Sequence, residues 1–462
     1  FVAMMSSSPD SGVGATTVSS IFNLTNTIMG AGILALPYAF RCAGIGLGLI
    51  ILALVWISSS YSFVLLSQCA EMTHTFTYKH VAKNTYGKFA SVLSEGAIFL
   101  YTVGNLIGRI IIIGQCSQPV IQRYLIGDTP SAFVKTLFSE VGTQCLLAGV
   151  LLLPLSLLPN IDSLKYSSLF AVLCLIFIIG VVCDDYANGK YADDSKGEVV
   201  WFRQNFISLL AFPLLVVSFT AHYNIMKMYE ELAGRSIRKM AVVSFSSSGI
   251  CLLCYCVCGI LGYMTFLDKT PSNILQWSNS TTTDSAQYNL NDVPVNIARV
   301  ALSIAVALSY PLVCYSARTA AVNLFFTNTP DTKLRHFLIT LGLVGLSLAV
   351  GANVPDIGVV FGFMGSTVGV LFVYILPGLF YIRLASFEQQ SALENGMNEP
   401  FLSSTWSYDS VDQVGAAGAV NLAASKKRPV WKAYLLIVFG VFIGLAGTTV
   451  VTLKTAGVLK IK

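Results

Sequence analysis

Charged side chains are scarce in this sequence. Only 11% of the 462 residues are Asp, Glu, Lys or Arg, whereas 55% are hydrophobic, and the mean hydropathy is +0.70. Soluble domains carry roughly 25% charged residues, so the composition excludes a soluble globular protein. No segment interleaves basic with aromatic residues, so the net charge of +5 does not indicate a nucleic-acid partner.

Histidine is also rare, and acidic residues do not cluster inside the apolar runs. There are four histidines, and His74 and His80 follow no recognised metal-binding spacing. This scarcity argues against an enzyme within the membrane. The eleven cysteines lack the spacing of a secreted disulfide scaffold. Cys251, Cys254 and Cys258 share one face of a predicted helix, which fits packing better than a soft-metal site, and no cofactor is expected.

Long apolar runs are what the sequence does have. Runs of about 18–25 residues recur along the chain, each long enough to cross a hydrocarbon core of about 30 Å. This pattern predicts an all-α polytopic membrane protein. The eleven predicted spans are 17–40, 46–70, 91–122, 142–159, 164–184, 201–226, 240–266, 295–326, 335–353, 356–382 and 431–453.

The placement of lysine and arginine predicts a cytosolic N-terminus. Loops 71–90, 227–239 and 383–430 each hold three or four of these residues, whereas the loop at 184–198 is acidic. On the same side as this acidic loop, a glycosylation sequon begins at Asn279. An odd number of spans then places the C-terminus outside the cell or in a lumen, although lysines in the tail oppose this assignment. We expect the plasma membrane or a vacuolar or lysosomal membrane.

The stretch NTIMGAGILALP (26–37) weakens the first span, because it contains Gly30 and Gly32 and glycine is a poor helix former. Backbone groups freed by a broken helix are tolerated at membrane depth only inside protein or along a cavity. The stretch therefore indicates either a binding site or close packing of helices. The sixth span has a comparable interruption, with Pro213 followed by SFTAHYN (218–224). Two interrupted spans five apart predict inverted repeats.

The predicted organisation places ten spans in a core at 17–382, with repeats at 17–184 and 201–382. A disordered N-terminal segment (1–16) precedes the core. A cytosolic linker (383–430), the eleventh span (431–453) and a tail (454–462) follow it.

Five motifs resemble those of the amino acid/auxin permease superfamily, in the same order. They are FNLTNTIMGAGILALPYAF (22–40), IIIIGQ (110–115), the F-x-x-H-x-x-x-x-x-x-Y-x-E-L pattern at 219–232, ALSYPLVCYSAR (307–318) and GSTVGVLFVYILPGLFYI (365–382). The resemblance is strongest to the sodium-coupled neutral amino-acid transporter branch (solute carrier family 38-like). It implies a LeuT-type fold of 5+5 inverted repeats plus an eleventh transmembrane helix, with helices 1 and 6 discontinuous. It also implies secondary active transport of amino acids.

Interrupted helices offer an amino-acid zwitterion both kinds of partner. Backbone N–H groups that begin a half-helix would bind the carboxylate, and backbone carbonyls would accept from the ammonium group. A side chain at Gly32 is expected to fill this site. His222 is either a pH-sensitive member of the site or a structural residue. The predicted substrate-binding residues are Thr27, Ile28, Gly30, Ala31, Gly32, Ile33, Arg109, Phe219, Thr220 and His222.

Asn26 and Ser309 are the ion ligands that the resemblance implies. Ala307 stands where the branch often has threonine, so coupling to Na+, coupling to H+ and plain exchange are all open. Arg109 lies inside the third span, where the branch often has an aromatic residue and where a charge is expensive. It either clamps a substrate carboxylate, replaces sodium as a fixed cation, or pairs with a structural partner.

The sequence thus predicts a monomeric transporter that is not an enzyme, with amino acids and the lipid bilayer as its partners. The alternative is a sensor that binds amino acids and signals from its cytosolic face. A channel is less favoured, because no ring of pore charges is evident in the sequence.

Overall fold

The computed structural model describes residues 14–126, 131–158, 165–191, 197–276, 289–326, 330, 332–354, 356–394 and 429–459, with the backbone alone at 31, 132, 165–169 and 390–394. Regular secondary structure in these ranges is helical, apart from one isolated bridge between Ala15 and Leu232. The predicted sequon at Asn279, most of the predicted N-terminal segment and most of the predicted linker lie outside the described residues.

Sixteen α-helices lie in the described ranges, and several continue one another through short 3₁₀ or π segments. They are α1 (Thr17–Ile28), α2 (Leu36–Ala43), α3 (Ile45–Thr73), α4 (Tyr78–Ile121), α5 (Ala132–Leu137), α6 (Glu140–Leu147), α7 (Leu153–Leu157), α8 (Lys165–Ala187), α9 (Ala211–Ser218), α10 (His222–Glu231), α11 (Ile237–Phe266), α12 (Val293–Phe325), α13 (Lys333–Asn353), α14 (Ile357–Met364), α15 (Leu376–Glu394) and α16 (Trp431–Thr455).

Ten helical segments in the described ranges are long and apolar enough to cross a membrane. The number becomes eleven when Thr17–Ile28 and Gly32–Ala43, which meet at a bend of 52°, count as one span. Large apolar side chains such as Leu100, Leu253 and Leu445 are exposed on these helices, as a lipid-facing surface requires. The prediction of an all-α polytopic membrane protein is confirmed.

α4 begins well before the predicted third span at 91–122. Its first turn follows Thr77, whose side-chain oxygen accepts a hydrogen bond from the backbone N–H of His80. Inside α4, Gly87 has a φ of 78°, which glycine adopts without the steric cost of a Cβ atom. The helix therefore has a short polar part before Gly87 and a spanning part after it, and hydropathy identifies only the second.

The first span is interrupted after Ile28. Two residues leave the helical conformation, a 3₁₀ turn covers Ala31–Ala35, and α2 follows with Pro37 in its first turn. Proline is tolerated there because the first N–H groups of a helix have no intrahelical partner. The predicted sixth span is also divided, since α9 ends at Ser218 and α10 begins at His222.

The interrupted helices lie in the middle of the packing arrangement. α11 packs along α1, α2 and α3, while α9 packs against α2, α3 and α14. α4 and α12 lie side by side, and α12 also contacts α8 and α13. α4 also contacts α10, which begins at the second interruption.

A charged cluster joins the end of α8 to the start of α12. Lys190 Nζ lies 2.5 Å from Asp292 Oδ2 and 3.5 Å from Asp185 Oδ1, and the Tyr191 hydroxyl donates to Asp292 Oδ2. Burial raises the pKa of Asp292, but the hydrogen bonds from Lys190 and Tyr191 outweigh it and hold that pKa below its ordinary value. The hydrogen bond between Lys190 and Asp292 also raises the pKa of Lys190.

Candidate functional site

The two interruptions meet where Gly32 contacts Ser218. The Ser218 hydroxyl lies 3.0 Å from the Leu214 carbonyl oxygen and 3.3 Å from the Gly32 carbonyl oxygen. A Cβ atom at Gly32 would lie 2.9 Å from Ser218 Cα, so glycine is what allows this approach. A side chain added at Gly32 would meet Ser218 first, and the expectation that it fills the binding site stays a prediction.

Tyr255 of α11 links the same two helix ends. Its hydroxyl lies 2.8 Å from the Ser218 carbonyl oxygen and 3.0 Å from the Ile28 carbonyl oxygen, so one O–H is shared between the ends of α9 and α1. The side chain is fully buried and packs edge-on against Phe219, with ring centroids 5.1 Å apart. Tyr255 was not predicted from the sequence, where the signal is one hydroxyl in the apolar run CLLCYCVC.

Backbone groups at the first interruption are only partly satisfied. The Gly30 N–H donates to the Ile28 carbonyl at 2.8 Å, and the Ile33 N–H donates to the Gly30 carbonyl at 3.3 Å. Among the described residues, the Gly32 N–H finds no backbone acceptor. A Cβ atom at Gly30 would meet only the Ile28 carbonyl oxygen, at 3.9 Å. Gly30 therefore borders open space, and the nearby Gly32 N–H is able to bind an anion.

The second interruption also leaves polar backbone groups available. No side chain caps α10, and the Thr220 hydroxyl donates back to the Val216 carbonyl at 2.7 Å. Within the described part of the chain, the carbonyls of Phe219 and Thr220 accept no backbone hydrogen bond. The end of α9 carries partial negative charge and the start of α10 partial positive charge, so both signs are present in three residues.

Arg109 is brought together with Ser309, which lies 200 residues later in the chain. Its Nη1 donates to Ser309 Oγ, and its Nε donates to Asn105 Oδ1 at 3.0 Å. The Ser309 hydroxyl in turn lies 2.8 Å from the Ala305 carbonyl oxygen, to which it donates. Arg109, Asn105 and Ser309 are all half-buried. The predicted ion ligand is therefore bound by the guanidinium in this structure.

Three tyrosines lie near the guanidinium. Tyr101, Tyr223 and Tyr310 lie close enough for their hydroxyls to interact with its charge. The rings of Tyr101 and Tyr223 are 6.4 Å apart, and Tyr101 lies edge-on to Phe372 at 4.9 Å. Tyr223 belongs to the first turn of α10, so this aromatic group borders the second interruption. None of these tyrosines was predicted from the sequence.

The remaining predicted residues lie in different surroundings. Asn26 and Thr27 are half-buried, and the Thr27 hydroxyl donates to the Asn23 carbonyl at 2.8 Å within α1. His222 is fully buried, with its ring 4.3 Å from that of Phe63. Its membership of the binding site stays a prediction.

The cysteines of α11 pack against the first span. Cys251 Sγ lies 3.7 Å from the Thr25 carbonyl oxygen, and Cys258 Sγ lies 4.0 Å from the Ile33 carbonyl oxygen. These contacts favour the packing interpretation of the cysteine pattern. In the described ranges, no group of three His, Cys, Asp or Glu residues is arranged to hold a metal ion.

Known proteins match most of this chain. Residues 13–403 match the family model described as transmembrane amino acid transporter protein. The chain is 28% identical over 442 residues to the sodium-coupled neutral amino acid transporter 4 of Homo sapiens, covering 80% of this chain and 78% of that protein. It is 29% identical over 398 residues to the sodium-coupled neutral amino acid symporter 2 of Danio rerio, covering 81% and 77%. These matches confirm the resemblance found in the motifs, and the chain belongs to the transmembrane amino acid transporter family.

Proposed function

We propose that this protein is a secondary active transporter that moves amino acids across a membrane by alternating access. The observation that carries the proposal is the meeting of two interrupted helices at Gly32, Ser218 and Tyr255. Helix ends of opposite partial charge then face one another, and an α-amino acid carries both charges. Membership of a family of transporters supports the proposal and weighs against both an enzyme and a sensor.

The proposed architecture is a LeuT-type 5+5 inverted repeat, with repeats at 17–184 and 201–382 and an eleventh span appended. The first and sixth spans would be its discontinuous helices. Contact between Gly32 and Ser218 supports this assignment, because inverted repeats place their corresponding helices against each other at the binding site. A cytosolic N-terminus is proposed from the distribution of lysine and arginine.

In the proposed binding mode, the substrate carboxylate accepts from the N–H groups of Ala31 and Gly32. The substrate ammonium group donates to the carbonyls of Phe219 and Thr220. Gly30 borders the same space without a side chain, which keeps it open. The Ile28 carbonyl, which already accepts from Gly30 and Tyr255, contributes to the shape of the site and not to its hydrogen bonds.

The coupling ion is proposed to be Na+, because the two relatives are named for sodium coupling. Ser309 and Asn26 are the proposed oxygen ligands. Since Arg109 donates to Ser309 in this structure, the guanidinium must move before a cation binds the hydroxyl. We expect Ser309→Ala to reduce stimulation of uptake by Na+ several-fold. Ser303→Ala is the matched control, because Ser303 lies on the same helix and contacts Ser117 instead.

Uptake into proteoliposomes tests the function directly. The purified protein should accumulate radiolabelled amino acids against their gradient, and Na+ or H+ gradients should drive this accumulation. Liposomes without protein and buffers with choline in place of Na+ are the controls. Saturable binding of amino acids without flux would instead identify a sensor. Equal uptake in sodium and choline buffers would contradict the proposed coupling to Na+.

A further inference from the structure

Arg109 carries a positive charge that no described residue neutralises. Its Nε and Nη1 donate to Asn105 and Ser309, both uncharged, while its Nη2 donates to none of the described residues. The ion pairs in the described ranges involve other residues. The side chains that interact electrostatically with the guanidinium in the described ranges are those of Tyr101, Tyr223 and Tyr310. A guanidinium stays charged at any working pH, so its half-buried position calls for an anion.

Arg109 lies near the place where the proposed substrate would bind. Tyr223, which faces the guanidinium, lies in the first turn of α10, and Tyr101 interacts with the side chain of Thr220. α4, which carries Arg109, contacts α10, and the rings of Tyr101 and Tyr223 lie 6.4 Å apart, so this part of α4 borders the second interruption. An amino acid bound between Gly32 and Thr220 by its main-chain groups would direct its side chain toward α4 and Arg109. This step rests on the proposed function.

We propose that the transporter selects amino acids with an anionic side chain, and that Arg109 binds the side-chain carboxylate. A guanidinium presents N–H donors in a planar fork that matches the two oxygens of a carboxylate. A zwitterion with a neutral side chain leaves the positive charge unpaired, and lysine brings a second positive charge. A dicarboxylic amino acid makes the occupied site neutral. This specificity differs from the neutral substrates in the names of the two relatives.

The experiment compares L-glutamate, L-glutamine and L-lysine as substrates of the reconstituted full chain. Glutamate and glutamine have nearly the same shape and differ in charge, so their comparison isolates the carboxylate. We expect the KM for glutamate to be at least ten-fold lower than that for glutamine, and lysine not to compete. In Arg109→Gln the glutamate preference should disappear while glutamine is still transported. Arg109→Lys should recover part of it, because it restores the charge without the fork.

Arg123→Gln is the matched control. It removes the same charge by the same substitution from an exposed position that follows α4 directly, away from both interruptions. Its preference for glutamate should equal that of the wild type. Equal KM values for glutamate and glutamine in the wild type would overturn the inference and leave amino-acid transport standing. Absence of uptake for every amino acid would overturn the proposed function and the inference together. If Arg109→Gln does not assemble, the comparison of the KM values for glutamate and glutamine in the wild type still tests the inference.

Discussion

Gly32→Ala should destabilise the folded protein, because the added methyl group has no room. Its Cβ would lie 2.8 Å from Ser218 Oγ and 2.9 Å from Ser218 Cα. The Cα belongs to the backbone of α9, so the contact is relieved only by separating the first span from α9. Overpacking of this kind costs about 1–3 kcal/mol. The same separation would break the hydrogen bonds by which Tyr255 joins the two helix ends, so transport should fall as well.

The matched control is Gly30→Ala, two residues earlier. Its Cβ would meet only the Ile28 carbonyl oxygen at 3.9 Å, which is ordinary contact. The backbone at Gly30, with φ −110°, is one that alanine adopts, so this variant should keep the wild-type melting temperature. It should raise the KM for substrate, because the methyl group enters open space. Thermal unfolding of both variants in detergent, with uptake measured in parallel, checks the prediction. Equal melting temperatures for the two variants would refute the steric argument.

Two further predictions concern Tyr255 and the cluster at the start of α12. Tyr255→Phe keeps the ring but removes its hydroxyl, so it should lower the free energy of unfolding by about 1–2 kcal/mol and reduce the maximal uptake rate. Calorimetry and flux measurements check both values. A variant with the wild-type stability and uptake rate would contradict the role of Tyr255 in joining the two helix ends. Lys190→Ala should lower the melting temperature at pH 7. Because the pKa of Asp292 is held below its ordinary value, the stabilisation is present above pH about 3.9 and disappears as pH falls through that lowered pKa. Melting temperatures of variant and wild type should therefore converge in acid, and a constant difference would show that the pair does not contribute through this carboxylate.

α1 and α9 end at places where the sequence has local causes for a helix end. Gly30 and Gly32 lower helix propensity within one turn, and the polar run after Pro213 marks the second interruption. The division of α4 at Gly87 was not predicted. Hydropathy averages over many residues, so it merges the short polar part of α4 with the loop before it. The span count was predictable because length and apolar character alone decide it.

Contacts between distant residues could not be predicted in the same way. Arg109 and Ser309 were both identified as candidates from the sequence, but in separate roles. Nothing in the spacing of either helix indicates that α4 and α12 lie side by side with these two residues at the same depth. Tyr255 was missed for the same reason, since its function depends on two carbonyls from other helices. Which residues pair across the fold depends on how the helices pack. The pattern of residues within one helix does not show which residues of another helix it contacts.

The contact between Arg109 and Ser309 leads to one further prediction, which links the proposed coupling to Na+ with the proposed selection of anionic substrates. A guanidinium at the hydroxyl repels a cation there, whereas a side-chain carboxylate that draws the guanidinium away frees the hydroxyl for Na+. Binding of an anionic substrate and binding of Na+ at Ser309 should then favour each other, and linkage requires the effect to be reciprocal. Uptake of glutamate should depend on Na+ more steeply than uptake of glutamine, and glutamate should lower the Na+ concentration for half-maximal uptake. In Arg109→Gln both substrates should show the same dependence on Na+. An identical Na+ dependence for the two substrates in the wild type would mean that Arg109 and the ion do not share Ser309.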